Sequence, residues 1–276
     1  MSSTFLRGLQ LLEIVGTEGP IGVSELSRRL GADKSGVSRM VAAAERDGWL
    51  ARSEDGVVLG ARLAVLGYDT PMAASMREMR PLLETAAGIT GMLAQACCLI
   101  GGQLVPVLSS GQLSIQLPAA LAFPLPLWGT ASGRAIAAGL EADELDAVLP
   151  AEPFPEPLST IAAESPFPPT PVVSPSEAAG WPEPGRRISD RAALADAVGE
   201  VRRTGVSRER GEVHPSLGCI AMPWPGAPAP GAVGLIGPVA EVVATSALIE
   251  ALLGAVVSPG ADRALVVGAA AVVLGD

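Results

Sequence analysis

The 276-residue sequence predicts an α+β chain of two modules, a winged helix-turn-helix joined by a linker helix to a larger domain built on an antiparallel sheet. Three observations predict it. Residues 22–48 carry two helical periods separated by a tight turn, and residues 91–110 and 217–236 change to short β-prone runs. The net charge of −10 falls entirely behind residue 67, so only the front of the chain suits a polyanion.

A first helix is expected from about Thr4 to Val15, on the spacing of Phe5, Leu9 and Leu12. In the next segment Leu26 and Leu30 mark one buried stripe, and Val37, Met40, Val41 and Ala44 mark a second at i, i+3, i+4, i+7. Gly31, Ala32 and Asp33 break the two helices apart. Gly22 stands at the cap of the first, with Glu25 three positions on, so half a capping box is present and its hydroxyl is missing. Opposite the second stripe lie Ser35, Ser38, Arg39 and Ala42, short polar groups and one guanidinium suited to a major groove. Residues 48–60 then read as a wing, two β-prone runs around the turn Ser53-Glu54-Asp55-Gly56. Residues 28–46 hold five cations (Arg28, Arg29, Lys34, Arg39, Arg46) against two acids (Asp33, Glu45), and phosphate contact needs only this local field. An αα-hairpin with a solvated face would share the charge but not the turn, the wing and the hydroxyls. We therefore expect Lys34 and Arg52 to hold phosphates, and Ser35, Ser38 and Arg39 to approach base edges.

Arg62, Leu63, Val65 and Leu66 begin a connector, and Met72 to Ala87 reads as a mostly helical linker around Pro81. The expected domains are 1–67, a linker at 68–90, and 91–276. In the last of these, β-prone runs at 92–100 and 104–110 flank Gly101-Gly102, and a second pair lies at 217–224 and 232–236. Helices are expected at 129–139, 141–149 and 190–204, the last with Leu194, Val198 and Val201 on one side and a stop at Gly205. Eleven of the 25 prolines fall between Pro150 and Pro184, so 150–189 reads as an irregular surface insert or a lid. The tail, 261–275, fits a helix or a buried strand equally.

No stretch at the front combines a basic region, an apolar core and a cleavage site, and the apolar runs at 117–129 and 264–275 are too short to span a bilayer. A cytoplasmic protein without a membrane role is expected. Three cysteines, Cys97, Cys98 and Cys219, lack CxxC spacing, so neither a disulfide frame nor a zinc cluster is indicated, and no cofactor is expected. Cys219 with His214, the only histidine, could be imagined as a nucleophilic pair. Yet Cys219 lies in an apolar β run where cysteine behaves as a small hydrophobe, and no third residue orients the base. No enzyme is expected.

The order of motifs resembles the IclR family of bacterial transcription regulators. In front the resemblance is carried by FLRGLQLLEIV (5–15), SELSRRLGADKSGVSRMVAAAERDGWL (24–50) and LGARLAVLG (59–67). Behind, it is carried by PLWGTASGRAIAA (126–138), VRRTGVSRERGE (201–212), LGCIAMPW (217–224) and AVGLIGP (232–238). It implies a helix used in dimerisation, a GAF-like effector-binding domain, homodimers or pairs of dimers, and a palindromic double-stranded DNA operator with half-sites ~34 Å apart or a multiple. Carried over residue by residue, the effector site comprises Leu127, Trp128, Gly129, Thr130, Glu209, Cys219, Gly234 and Ile236. The family commonly has His at Trp128, serines at Gly234 and Ile236, and Asp at Glu209. Losing an imidazole and two hydroxyls makes the site drier, so the resemblance and its departures together imply a flat, largely apolar effector, an aromatic acid or a neutral derivative. One polar end of it could be held by the N–H groups at Gly129-Thr130. Trp128 is either a platform for the ligand or a lid residue packed on the linker.

The expected protein is thus a ligand-responsive DNA-binding regulator, in which repression and activation read alike. A thiol-based redox regulator is the alternative, and a sensor of small hydrophilic organic acids a weaker one.

Overall fold

A computed structural model describes residues 4–112, 125–155 and 180–275, which form two compact units, Met1–Ala74 and Ser75–Asp276. In the first unit the order is α1 (Thr4–Glu18), α2 (Val23–Leu30), α3 (Lys34–Arg46), β1 (Leu50–Ser53), β2 (Gly56–Leu59) and α4 (Ala61–Tyr68). Leu11, Val15, Leu26, Val37, Val41, Leu50 and Val57 close one apolar core, so both predicted stripes face inward. Gly31 ends α2 at φ 56°, a left-handed backbone that glycine adopts without Cβ strain. Gly22 gives α2 no side-chain cap, and Glu25 instead reaches along the helix to Arg28 and Arg29. The start of α2 is fixed by the backbone: Ile21 and Val57 exchange N–H···O bonds of 3.1 and 2.9 Å, tying its entry to the wing. In the wing β1 and β2 pair antiparallel from Leu50 opposite Leu59 to Ser53 opposite Gly56.

Helix α5 (Pro71–Thr90) carries Pro81 inside it and buries Met79, Leu82, Leu83, Ala86 and Ala87 along one side. The second unit is built on a five-stranded antiparallel sheet. Its strands are β3 (Leu93–Ile100), β4 (Gln103–Ser110), β5 (Ser207–Arg210), β6 (Leu217–Pro223) and β7 (Gly231–Pro238), in the order β4-β3-β7-β6-β5. The remaining helices are α6 (Ala131–Ala137), α7 (Ala142–Val148), α8 (Arg191–Thr204), α9 (Val239–Ala244), α10 (Ser246–Val257) and α11 (Arg263–Leu274).

Side-chain alternation along the strands gives each sheet face its own cover. Cys97, Cys219, Ala221, Ala232 and Ile236 belong to one apolar cluster with α6 and α8. A Cβ on Gly218, one residue out of phase with Cys219, would meet Val239 and Val242 of α9 instead. The tail resolves as helix α11, which Asp262 starts by accepting the Leu265 N–H at 2.8 Å and which packs on α10. Three elements were not anticipated from the sequence, namely β5, α9 and α10.

Part of the proline-rich insert departs from the expected surface excursion. Phe154 is 5 % exposed within the cluster under α6, and its N–H donates to Ser189 O at 2.7 Å. An aromatic ring that can enter a core buries more than the surrounding prolines can keep at the surface. Residues 156–179 of the insert lie outside the described residues, and with them most of the expected lid.

Candidate nucleic-acid interface and effector site

Helix α3 presents the predicted face outward. Lys34, Ser35, Ser38, Arg39 and Ala42 are all exposed while Val37 and Val41 are fully buried. Asp33 starts the helix by accepting the Gly36 N–H at 2.8 Å, and it also accepts the Ser35 hydroxyl at 2.6 Å. The Ser35 bond, then that of Gly36, holds the Asp33 carboxyl below its ordinary range. Ser35 thus already serves the cap, which leaves Lys34, Ser38 and Arg39 as the uncommitted polar groups of the face among the described residues. Arg52 on β1 is likewise engaged, its Nε 2.8 Å from Glu45 Oε1, so it braces the wing on α3. Arg28 and Arg29 are paired with Glu25 and Glu18. Among the described residues Lys34, Arg39 and Arg46 form no ion pair, and Arg46, seven positions after Arg39, shares its face. Arg46 is a candidate contact that the sequence reading counted only as charge.

In the rear unit Leu127, Trp128, Cys219 and Ile236 come together in one apolar cluster. Gly234 sits opposite Ala221 on β6 and opposite Gln95 on β3, and a Cβ there would lie 3.3 Å from the Cys219 Sγ. The Trp128 and Phe154 rings are tilted by 41° with centroids 5.2 Å apart. Trp128 therefore packs on Phe154 of the proline-rich insert. Among the described residues the buried Trp128 Nε1–H has no acceptor. Of the backbone donors anticipated at the start of α6, the Gly129 N–H donates to Pro126 O at 3.3 Å, while the Thr130 hydroxyl caps the helix by accepting the Gly133 N–H at 2.9 Å. Phe154 is the residue of this cluster that sequence reasoning missed. Its signal, one aromatic among prolines, gave no period to read.

Glu209 lies on β5 opposite Cys219 and is 2 % exposed. Its Oε1 accepts the N–H groups of Glu212 and Val213. Burial, and then the nearby Glu212 carboxylate, push its carboxyl up to about 7. Glu212 is itself buried and paired with Arg134 on α6, Nη1 to Oε2 at 2.5 Å, while Arg134 Nη2 donates to Arg208 O at 2.8 Å. Burial also pushes the thiols upward, Cys97 to about 12 and Cys98 to about 11, with Cys219 raised as well. A redox-sensing thiol needs the reverse, an accessible sulfur with a lowered pKa. His214 is buried, and its Nδ1 accepts the Ser216 N–H at 3.2 Å.

A separate cleft of about 320 Å³ opens between α6, α8, β5 and residues 180–188, and none of the eight effector residues expected from the sequence lines it.

Residues 4–54, the whole helix-turn-helix with the first strand of its wing, match the family model of the IclR helix-turn-helix domain. The front unit carries an IclR helix-turn-helix domain. Solved structures of IclR proteins share its fold. An IclR homolog from Microbacterium hydrocarbonoxydans, complexed with 4-hydroxybenzoate, is 20 % identical with a TM-score of 0.62, covering 98 % of each chain. The IclR of Thermotoga maritima is 18 % identical with a TM-score of 0.61, over 98 % of this chain and 100 % of its own. An IclR transcriptional regulator from Alicyclobacillus acidocaldarius is 16 % identical with a TM-score of 0.57, over 95 and 98 %. No curated protein matches the sequence. The resemblance read from the motif order therefore holds for the front unit, an IclR helix-turn-helix domain, and the α+β fold is that of solved IclR structures. Among the described residues no helix is long and apolar enough to cross a membrane.

Proposed function

We propose that this chain is an IclR-family regulator that reads duplex DNA through the outward face of α3 and adjusts its grip when an aromatic acid, or a neutral derivative of one, enters the cluster around Trp128. The observation that carries the effector reading is the Trp128 indole N–H, buried among apolar side chains with no acceptor among the described residues. A buried donor left unpaired costs about 1–3 kcal/mol, and a guest bearing an oxygen acceptor on a flat ring recovers it. Gly234 and Ile236 supply shape and no hydroxyl, which favours such a guest over a small multi-oxygen anion. A homolog of the same fold holding 4-hydroxybenzoate agrees with this chemistry.

The test is a thermal-shift series of 4-hydroxybenzoate, benzoate and benzamide beside glyoxylate and pyruvate. Aromatic members are expected to raise the melting temperature; stabilisation by the small acids alone overturns the reading. Trp128→Phe should weaken binding of the aromatic acceptors roughly tenfold while changing the stability of the unliganded protein little, because relief of the orphan donor offsets the packing lost when phenyl replaces indole. Unchanged affinity in that variant refutes the indole contact.

On DNA, Lys34 at the start of α3 holds a phosphate and Ser38 and Arg39 meet base edges, with Ser35 and Arg52 setting the helix and wing rather than reading sequence. A dimer presenting two such helices fits a palindromic operator. With duplexes selected from a random pool, Arg39→Ala should cost ~1–3 kcal/mol and relax preference at one base pair, whereas Lys34→Ala should weaken all duplexes alike and lower the salt slope by about one. Sequence preference that survives Arg39→Ala refutes the assignment.

A further inference from the structure

The cleft beside α8 has an unusual wall. At its side lies Ser207, 2 % exposed, whose hydroxyl has no hydrogen-bond partner among the described residues. A buried hydroxyl without a partner is rare in a native interior and marks a place where a guest supplies the bond. The rim carries charge of both signs. Asp196 and Glu200 stand one turn apart on the exposed side of α8, and among the described residues neither forms an ion pair; Arg186, also without an ion pair, lines the same cleft. The Arg134 guanidinium that lines it as well is not available, being held by Glu212 and by Arg208 O. Between these charges the lining is apolar, from Ile188, Val201 and Val206, with the Trp181 ring at one side. The volume of about 320 Å³ is the size of one small molecule.

These features constrain the guest. A purely anionic ligand would meet the two α8 carboxylates, and a purely cationic one would meet Arg186. A molecule bearing an ammonium at one point, a carboxylate at another and an apolar body satisfies all three. We propose that the cleft is a second ligand site, for an α-amino acid with an apolar or aromatic side chain. Its ammonium faces Asp196 and Glu200, its carboxylate faces Arg186 and takes the Ser207 O–H, and its side chain lies on the apolar wall beside Trp181. This site shares no residue with the Trp128 cluster and does not depend on that reading.

The experiment is titration calorimetry on the full chain, with excess benzoate present throughout to fill the Trp128 site, using L-phenylalanine beside phenethylamine, which lacks the carboxylate, and 3-phenylpropionate, which lacks the ammonium. L-Phenylalanine is expected to bind, and each truncated analogue to bind at least tenfold more weakly. Asp196→Asn with Glu200→Gln should reduce the amino-acid affinity more than tenfold, and Arg186→Gln should do the same. Ser207→Ala should weaken it about fivefold without lowering the melting temperature of the unliganded protein, since that hydroxyl has no partner among the described residues. Trp128→Phe should leave amino-acid binding unchanged, which separates this site from the aromatic-acid site. Absence of L-phenylalanine binding, equal binding of either analogue, or binding that survives the α8 double substitution overturns the proposal.

Discussion

Arg134→Met is expected to cost about 3–5 kcal/mol of stability, the penalty for stranding a buried charge. Arg134 and Glu212 have side chains 4 % exposed each, so solvent cannot replace the lost partner. Burial already pushes the Glu212 carboxyl upward against the pull of Arg134, and without the guanidinium it must rise further or take a proton. In a unit of this size that loss lowers the melting temperature by ~10 °C or more. Adding Glu212→Leu to the same chain removes the stranded carboxylate and should restore most of the stability, because an apolar pair of similar volume replaces a buried ion pair at little cost. Recovery stays incomplete, since the Arg208 carbonyl still loses the Nη2–H that it accepts. Thermal melts of the single and double variants check both statements; a single variant within 1 kcal/mol of the parent, by an effect far smaller than ~3–5 kcal/mol, shows the pair to be solvated.

The second large effect is on pH. The Glu209 carboxyl sits at about 7 in the folded protein and returns to its ordinary 4.5 when the chain unfolds. Between those values the folded state holds a proton that the unfolded state has released, so stability falls as pH rises. The contribution is fully present below about pH 4.5, is lost progressively up to about pH 7, and is constant above it. The full swing is at most ~3 kcal/mol. Glu209→Gln should remove it, because the amide oxygen can still accept the Glu212 and Val213 N–H groups and nothing remains to titrate. His214, lowered by burial, contributes with the opposite sign in the same region, so the measured quantity is the difference between parent and variant melts from pH 5 to 8. Parallel curves would show Glu209 ionised as an ordinary carboxylate.

What could be read from the sequence, and what could not, follows from how locally each feature is determined. The helix-turn-helix was legible because Leu26, Val37 and Val41 mark its buried face by spacing alone, and Gly31 marks the turn by its backbone freedom. Helix α8 was legible for the same reason, with the stop at Gly205 visible as well. Strand β5 was not, since its four residues, Ser207–Arg210, carry three charges, and on an edge strand the pairing with β6 decides the conformation. Residues 239–257 are apolar on nearly every side, so α9 and α10 show no stripe that separates helix from strand. The effector cluster was half legible. Leu127, Trp128, Cys219 and Ile236 followed from the family resemblance, whereas Phe154 reached it from a segment without periodicity. Side-chain commitments were invisible throughout: that Ser35 serves Asp33 and Arg52 serves Glu45 depends on geometry across turns and strands.

Gly133 draws the two ends of the rear unit together. A Cβ at this position would lie 2.1 Å from the Leu127 carbonyl oxygen, so the helix carrying Arg134 rests its backbone directly on the loop carrying Trp128. No side chain cushions that seam, and interiors packed to this density shift in discrete steps rather than by yielding. The indole on one wall and the guanidinium on another are thus mounted on a single block, six residues apart. Reciprocity then holds for any guest that displaces the block, which changes affinity at the far end by the same factor that a guest there would return.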